Sequence, residues 1–386
     1  MHRAGVRAIA LGVALSVAAC GDGGGATASL VVVDTLPNGA VRTLSSAPTE
    51  AGQWRLTLLH TVQPAEGDSG ELQQPQDLAL TDDGTLLVSE SGDAHLKVFD
   101  ATGRFLRRIG RNGEGPGEFR VAFLATRGDT VLVQDPQVAR ASTFRISDGT
   151  FLGSRPTTCC YWQSLGTDGA GRAILPANHS PGESATRSAT AWVRLGFGGS
   201  GADTVFVWQG RKRSSEQYWE IGDGKTLQMR MPVPYAPREV ETIDARGGWV
   251  TAWTGEYLLR ATSTGDDTIA LFGRPFTAPP VSAAEKARLV DLRVADMSDD
   301  GRVPDAMLRA GLSADKIPDR RPAFESLVSD AAGRTWVPRL LADSASVVEF
   351  DLFGADRRWL DVVRLPKSAW AEGAFAPTAW GVDRVA

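Results

Sequence analysis

Cysteine is scarce in this chain: 386 residues hold 3, and two of them, Cys159 and Cys160, are neighbours. A disulfide-stapled scaffold is thereby excluded, and a structural zinc site would want further Cys or His at ligand spacing. Histidine is almost as rare, with 4 in all. His60, His95 and His179 fall on separate segments in no recurring position, so a histidine-built zinc centre is not expected. Basic excess is also missing. The 41 Lys and Arg face 46 Asp and Glu, which argues against the basic face that nucleic acid calls for. Long heptads are absent. So is a Gly-x-Ser-x-Gly elbow between strand and helix, because Gly198-Gly199-Ser200-Gly201 reads as a hairpin turn. The longest apolar run, Ala8 to Ala19, has roughly 12 residues where a membrane span needs about 20.

That short run has a meaning of its own. It follows the basic start Met1-His2-Arg3-Ala4-Gly5-Val6-Arg7 and ends in small residues before Cys20, the pattern of a secretory leader. Val17-Ala18-Ala19-Cys20 resembles the bacterial lipobox, in which the cysteine is acylated and becomes the new N-terminus. The reading is a leader over 1–19, a flexible glycine-rich tether over 20–29 and a lipid-anchored body over 30–386. Asp directly after the lipidated Cys favours inner-membrane retention in enteric bacteria. Here Gly21 follows Cys20, which leans toward the outer membrane, with the body facing the periplasm or the surface. Loss of Arg3 and Arg7 with the leader makes the body still more acidic. Cys159 and Cys160 are left either as a strained vicinal disulfide that stiffens a loop or as two half-buried thiols.

Glycine and proline are plentiful, at 42 and 21, and fit many short strands joined by turns. A repeat emerges from them. Leu78 to Val88 is an alternating strand, a polar turn with Gly84, and a second strand. His95 to Gly110 is a second hairpin turning at Gly103. Four antiparallel strands in about 40 residues make one propeller blade. Copies follow over Ala122–Leu152, Leu165–Trp208, Asp244–Phe272 and Leu327–Val363. Each small sheet has two apolar faces and cannot bury both alone, so the copies should stack radially. Trp54 to Val62 reads as one lone strand, and together with Phe375–Val385 it suggests a sixth, composite blade. Residues 30–46 are a second source of a closing strand. The expected fold is all-β, a six-bladed propeller of four-stranded antiparallel blades. Two segments break the repeat. Residues 211–237 lengthen one link. Residues 281–318 read as a partly helical insertion, with Ser282-Ala283-Ala284-Glu285 as a capping box. Both serve either as surface decoration or as a lid or partner contact at the propeller mouth.

The first full copy carries a resemblance. Leu72-Gln73-Gln74-Pro75-Gln76-Asp77-Leu78-Ala79-Leu80, Leu87-Val88-Ser89-Glu90 and Leu96-Lys97-Val98-Phe99-Asp100 look like an NHL repeat. Ile109-Gly110-Arg111-Asn112-Gly113-Glu114-Gly115-Pro116-Gly117-Glu118-Phe119 is similar to the signature of bacterial six-bladed β-propeller lipoproteins. That resemblance implies the fold and says little of activity. Propellers of related form include metal-dependent lactonases and zinc-dependent lyases.

Chemistry is harder to find. The glycine loop at 113–118 is no phosphate cradle, because a strand rather than a helix follows it. Arg111, Glu114 and Glu118 are candidates for a ligand face, although Glu118 could equally cap the turn. Tyr161-Trp162 is the best candidate for an exposed aromatic platform, with packing as the competing reading. Trp249, Trp336 and Trp359 fit blade packing. No cofactor is identified. The carboxylates leave a calcium ion in the channel open, while the Asp-rich turns at Asp82-Asp83, Asp168 and Asp330 are explained by the conformations Asp accepts in turns. The reading is a monomeric, envelope-anchored binding or scaffold propeller for a protein, peptide or glycan. A metal-dependent lactonase-like hydrolase or lyase is the alternative.

Overall fold

The computed structural model describes residues 30–62, 64, 67–91, 94–157, 165–177, 189–198, 201–208, 218–222, 228–298, 303–341 and 345–367. Cys20, Cys159, Cys160, Tyr161, Trp162 and the C-terminal stretch from 368 onward lie outside the described residues.

The chain opens with a hairpin, β1 (Val31–Thr35) and β2 (Val41–Ser45). Blade one is β3 (Pro75–Leu80), β4 (Leu86–Glu90), β5 (Leu96–Phe99) and β6 (Phe105–Ile109). A two-residue pairing, β7 (Arg111–Asn112) with β8 (Glu118–Phe119), closes the loop that leads out of it. Blade two is β9 (Phe123–Arg127), β10 (Thr130–Asp135), β11 (Arg140–Arg145) and β12 (Phe151–Pro156). Blade three is β13 (Gly166–Thr167), β14 (Ala173–Ala177), β15 (Ala189–Leu195) and β16 (Ala202–Trp208). A separate hairpin, β17 (Tyr218–Gly222) and β18 (Gln228–Pro232), precedes blade four. Blade four is β19 (Glu239–Ile243), β20 (Trp249–Trp253), β21 (Leu258–Thr262) and β22 (Ala270–Gly273). Helices α1 (Ala283–Ser298) and α2 (Asp305–Gly311) come next. Blade five is β23 (Val328–Ser329), β24 (Thr335–Pro338), β25 (Val347–Phe353) and β26 (Trp359–Pro366). Within each blade, neighbouring strands pair antiparallel in sequence order.

Alternation along single strands explains why the blades stack. Val131 and Val133 on β10 point into a core shared with Leu87, Leu96, Val98 and Ile109 of blade one. Leu132, between them, points the other way, into a core with Ala173, Leu175 and Leu195 of blade three. Ile174 and Trp192 in turn meet Trp249 of blade four. Val250, Leu259 and Phe272 of blade four meet Val337 and Phe353 of blade five. Each of these cores belongs to two blades, so neither blade could bury it alone. Polar staples cross the same seams: Asp77 Oδ2 on β3 accepts from Leu124 N on β9 at 2.7 Å, and Thr126 Oγ1 donates to Leu80 O at 3.0 Å.

The molecule is thus an all-β propeller of small four-stranded antiparallel blades with few helices, and the described residues contain five such blades. Two details differ from expectation. Residues 54–62 form no strand. They run irregularly, with Trp54 and Leu56 packed on the far face of blade five and Val62 and His60 beside Gly103 of blade one. The 31–45 hairpin does not close the ring either. Its β2 pairs in parallel with β22, extending blade four outward into a six-stranded sheet. The carboxylate of Asp361 ties down the segment between these two stretches, accepting from Gly52 N at 3.0 Å and Trp54 N at 2.9 Å.

The two breaks in the repeat turn out to be one structure. Trp219, Ile221 and Val233 share a small core with Val281, Val294, Leu308, Leu312 and Ile317. Trp219 Nε1 donates to Ser313 O at 2.8 Å. The links into blades four and five therefore form a cap with its own hydrophobic centre. Ser282 caps α1 through the N–H of Glu285 at 3.1 Å. The Glu285 carboxylate does not reach back in a capping box. It accepts instead from Tyr235 Oη at 3.0 Å and Arg321 at 2.6 Å.

Candidate functional site

Inner strands β3, β9, β13, β19 and β23 surround a central channel of about 550 Å³. Its walls mix apolar residues such as Leu78 and Leu124 with Asp82, Arg127, Thr167, Glu241 and Ser329. The turn aspartates that end the inner strands are directed into their own turns. Asp168 Oδ1 accepts from Ala170 N and Arg172 N at 3.0 and 2.8 Å. Asp330 Oδ1 accepts from Ala332 N and Arg334 N, both at 3.0 Å, and its Oδ2 accepts from Trp336 Nε1 at 2.8 Å. Among the described residues, no three His, Cys, Asp or Glu side chains are grouped so as to hold a metal ion.

At the end of the propeller where the inner strands begin, a cleft of about 520 Å³ opens between blades one and two. Gln76, Ser91, Asn112, Arg120 and Gln137 line it, with Gly113 and Val121. Its walls are held by buried carboxylates at matching places in the two blades. Glu90, ending β4, accepts at Oε2 from Gln73 N and Gln74 N at 3.2 and 3.0 Å, with Lys97 Nζ 3.9 Å from Oε1. Asp135, ending β10, accepts at Oδ2 from Arg120 N at 2.6 Å and at Oδ1 from Gln137 N at 2.8 Å. Each carboxylate fixes the backbone that leads into its blade's inner strand, and so aims the side chains beside it.

The glycine loop forms one wall. Glu118 is the turn cap: its Oε2 accepts from Gly115 N at 2.7 Å and its Oε1 from Arg111 Nε at 2.7 Å. The Gly115 N–H and then Arg111 hold the Glu118 carboxyl below the usual carboxylate range. Glu114 is exposed and pairs with Arg120 at 2.6 Å. From behind, Arg140 of β11 donates to Glu114 O, Gly115 O and Glu118 O at 2.6, 3.0 and 2.7 Å. The three residues singled out from the sequence are therefore neighbours with different duties, Glu118 shaping the loop while Arg111 and Glu114 face outward. Of the Trp residues assigned to packing, Trp249 and Trp336 are buried and Trp359 is half-buried.

Sequence reasoning missed the cleft residues Gln76, Asn112, Arg120 and Gln137. The available signal was the acidic residue that closes the second strand in successive repeats, in Val88-Ser89-Glu90 and again in Val133-Gln134-Asp135. Chemically, the cleft offers amide, hydroxyl and guanidinium groups. The Ser91 hydroxyl donates to Gln74 Oε1 at 3.0 Å rather than to a base, so it is not set up as an activated nucleophile.

Residues 67–122, blade one and the glycine loop, match the model of the family DUF5128, described as a 6-bladed beta-propeller. No curated protein matches the chain significantly. Among solved structures, a protein described as exported from Bacteroides fragilis is similar at 11% identity and TM-score 0.38, over 80% of this chain and 74% of that one. A DUF4221 member from Bacteroides vulgatus is similar at 10% identity and TM-score 0.40, over 78% and 83%. A virginiamycin B lyase from Staphylococcus aureus is similar at 10% identity and TM-score 0.34, over 76% and 84%. No helix among the described residues is long and apolar enough to cross a membrane.

Proposed function

We propose that this protein is an exported propeller, anchored to the cell envelope through an acylated Cys20, that binds a polar extended ligand, a peptide or a glycan, in the cleft between blades one and two. One observation carries the reading. The cleft presents amide, hydroxyl and guanidinium groups on backbone pinned by Glu90, Asp135 and Arg140, so its shape is set before a ligand arrives. Such preorganisation lowers the ordering cost of binding. Neutral amides beside a guanidinium that Glu114 already pairs suit hydroxyl and peptide groups better than a bare ion. The aromatic pair Tyr161-Trp162, in the sequence between blades two and three, is proposed to add a stacking surface for the same ligand.

The test is binding of the full mature chain to glycan and peptide arrays, beside Arg120→Ala and Gln76→Ala. Retention of one ligand class by the wild type, reduced about tenfold or more in both variants, supports the reading. Wild-type binding that neither variant changes would place the ligand elsewhere, and no binding on either array would sink the proposal.

A further inference from the structure

The 31–45 hairpin extends blade four outward, and it is apolar on its outer side. Val32 pairs with Leu44 and Arg42 aligns with Leu271, so by alternation Leu30, Val32, Leu44 and Ile269 share one face of the extended blade-four sheet. These four are 45%, 60%, 36% and 52% exposed. The only charges on that face of the hairpin, Asp34 and Arg42, neutralise one another, with Arg42 Nε to Asp34 Oδ1 at 2.9 Å. The opposite face carries Thr43 and Ser45, both buried, beside the exposed Val33 and Val41, and Ser45 Oγ accepts from Trp359 N of blade five at 3.1 Å. The hairpin is thus docked through Thr43 and Ser45 at its base and exposes apolar side chains on both faces, the larger group of four on the outer side.

We infer that this outer face rests on the lipid bilayer to which the chain is tethered. The inference builds on the acylation of Cys20 put forward above. Residues 20–29 can span at most about 35 Å even if fully extended, so the hairpin that begins at Leu30 is the folded element nearest the anchor. The chain carries a net charge of −5, and an anionic lipid surface repels acidic regions. A charge-neutral apolar face is the part such a surface tolerates, and exposed apolar patches of this kind mark interaction sites. Lipid contact would also shield the outward amides of Val33 and Thr35 on β1.

The experiment uses the full mature chain purified from membranes and reconstituted in vesicles of phosphatidylethanolamine with a minor share of phosphatidylglycerol. Amide exchange over 31–45 is compared with that of Cys20→Ala protein in solution. The expected result is exchange about tenfold slower at Val33 and Thr35 on vesicles. The pair Val32→Asp with Leu44→Asp should restore the solution rate while the protein still floats with the vesicles. The milder Val32→Ser with Leu44→Ser serves if the first pair lowers the melting temperature. Flotation with unchanged exchange would overturn the inference and leave the anchor reading standing. A purified chain that carries no acyl mass and does not float would overturn both. Protection that follows protein concentration rather than lipid, with a dimer mass, would assign the face to a second copy and overturn the membrane assignment.

Discussion

Replacing Arg274 by Met tests how blades four and five are joined. Asp351 on β25 is fully buried. Its Oδ2 accepts from Tyr257 Oη at 2.6 Å and from Arg274 Nε and Nη2 at 2.9 and 2.7 Å. Arg339 Nε is more distant, at 3.8 Å. Arg274 also lies over the rings of Tyr257 and Trp359, at 4.2 and 5.0 Å. Burial, and then the Asp351 charge, pushes the Tyr257 hydroxyl well above its ordinary value, so it stays a donor at neutral pH. Without the guanidinium, Asp351 keeps one short hydrogen bond and a distant cation inside an apolar seam. The expected cost is that of an uncompensated buried charge, about 3–5 kcal/mol. Arg274→Met with Asp351→Leu should recover much of that loss, because an apolar pair of similar volume is often neutral or better than a buried ion pair. Urea unfolding followed by tryptophan fluorescence gives both values. A loss below about 1 kcal/mol in the single variant, the range of exposed pairs, or a double variant worse than the single, would refute the reasoning.

Other predictions address the remaining seams. Gly110 has φ +74°, and a Cβ there would fall inside the Phe119 ring. Gly110→Ala should therefore cost about 1–3 kcal/mol, read as a lower melting temperature, and an unchanged melt would contradict the packing described. Burial pushes the Asp361 carboxyl up, but the N–H groups of Gly52 and Trp54 outweigh it and the net shift is downward. A depressed folded value means the stabilisation is complete above the ordinary aspartate range near 4 and is lost as pH falls through the folded value. Asp361→Asn should loosen residues 49–54 at neutral pH as strong acid does in the wild type, and limited proteolysis near Trp54 reports it; equal resistance in both proteins would count against the clamp. Trp219→Ala should cost the cap about 3–5 kcal/mol. Exchange over α1 and α2 should rise while the blades keep their protection, and loss of protection in both together would mean the cap is not a separate unit.

Much of the propeller was legible because its physics is local. The alternation of Val131, Leu132 and Val133 announces a strand buried on two sides, and the Gly of each turn marks where the chain reverses. Asp330 and Asp168 are predictable for the same reason, since an Asx turn needs only its next few residues. What stayed hidden depends on residues far apart in sequence. Trp219 finds Ser313 across 94 positions with no repeat to announce it, so two insertions that read as separate decorations form one cap. The parallel docking of β2 on β22 cannot be read from Val41-Arg42-Thr43-Leu44-Ser45, which as a pattern is only a short strand. Trp54 to Val62 alternates well enough to suggest a strand, yet it runs irregularly, with Trp54 and Leu56 packed on blade five and Leu58 and Leu59 exposed. The cleft is the extreme case, because Gln76, Arg120 and Gln137 are ordinary surface residues until two blades bring them together.

Arg140 has one further consequence. Its guanidinium grips three carbonyl oxygens of the glycine loop from the neighbouring hairpin, and the main chain it holds is the same whatever side chains the loop carries. Apart from Glu118 and the glycines at 113, 115 and 117, the loop depends little on its own side chains for its course. Mutation at Arg111 or Glu114 can therefore alter what the loop touches without altering where it lies. A lineage could exchange ligands at this rim one residue at a time, with each intermediate still folded.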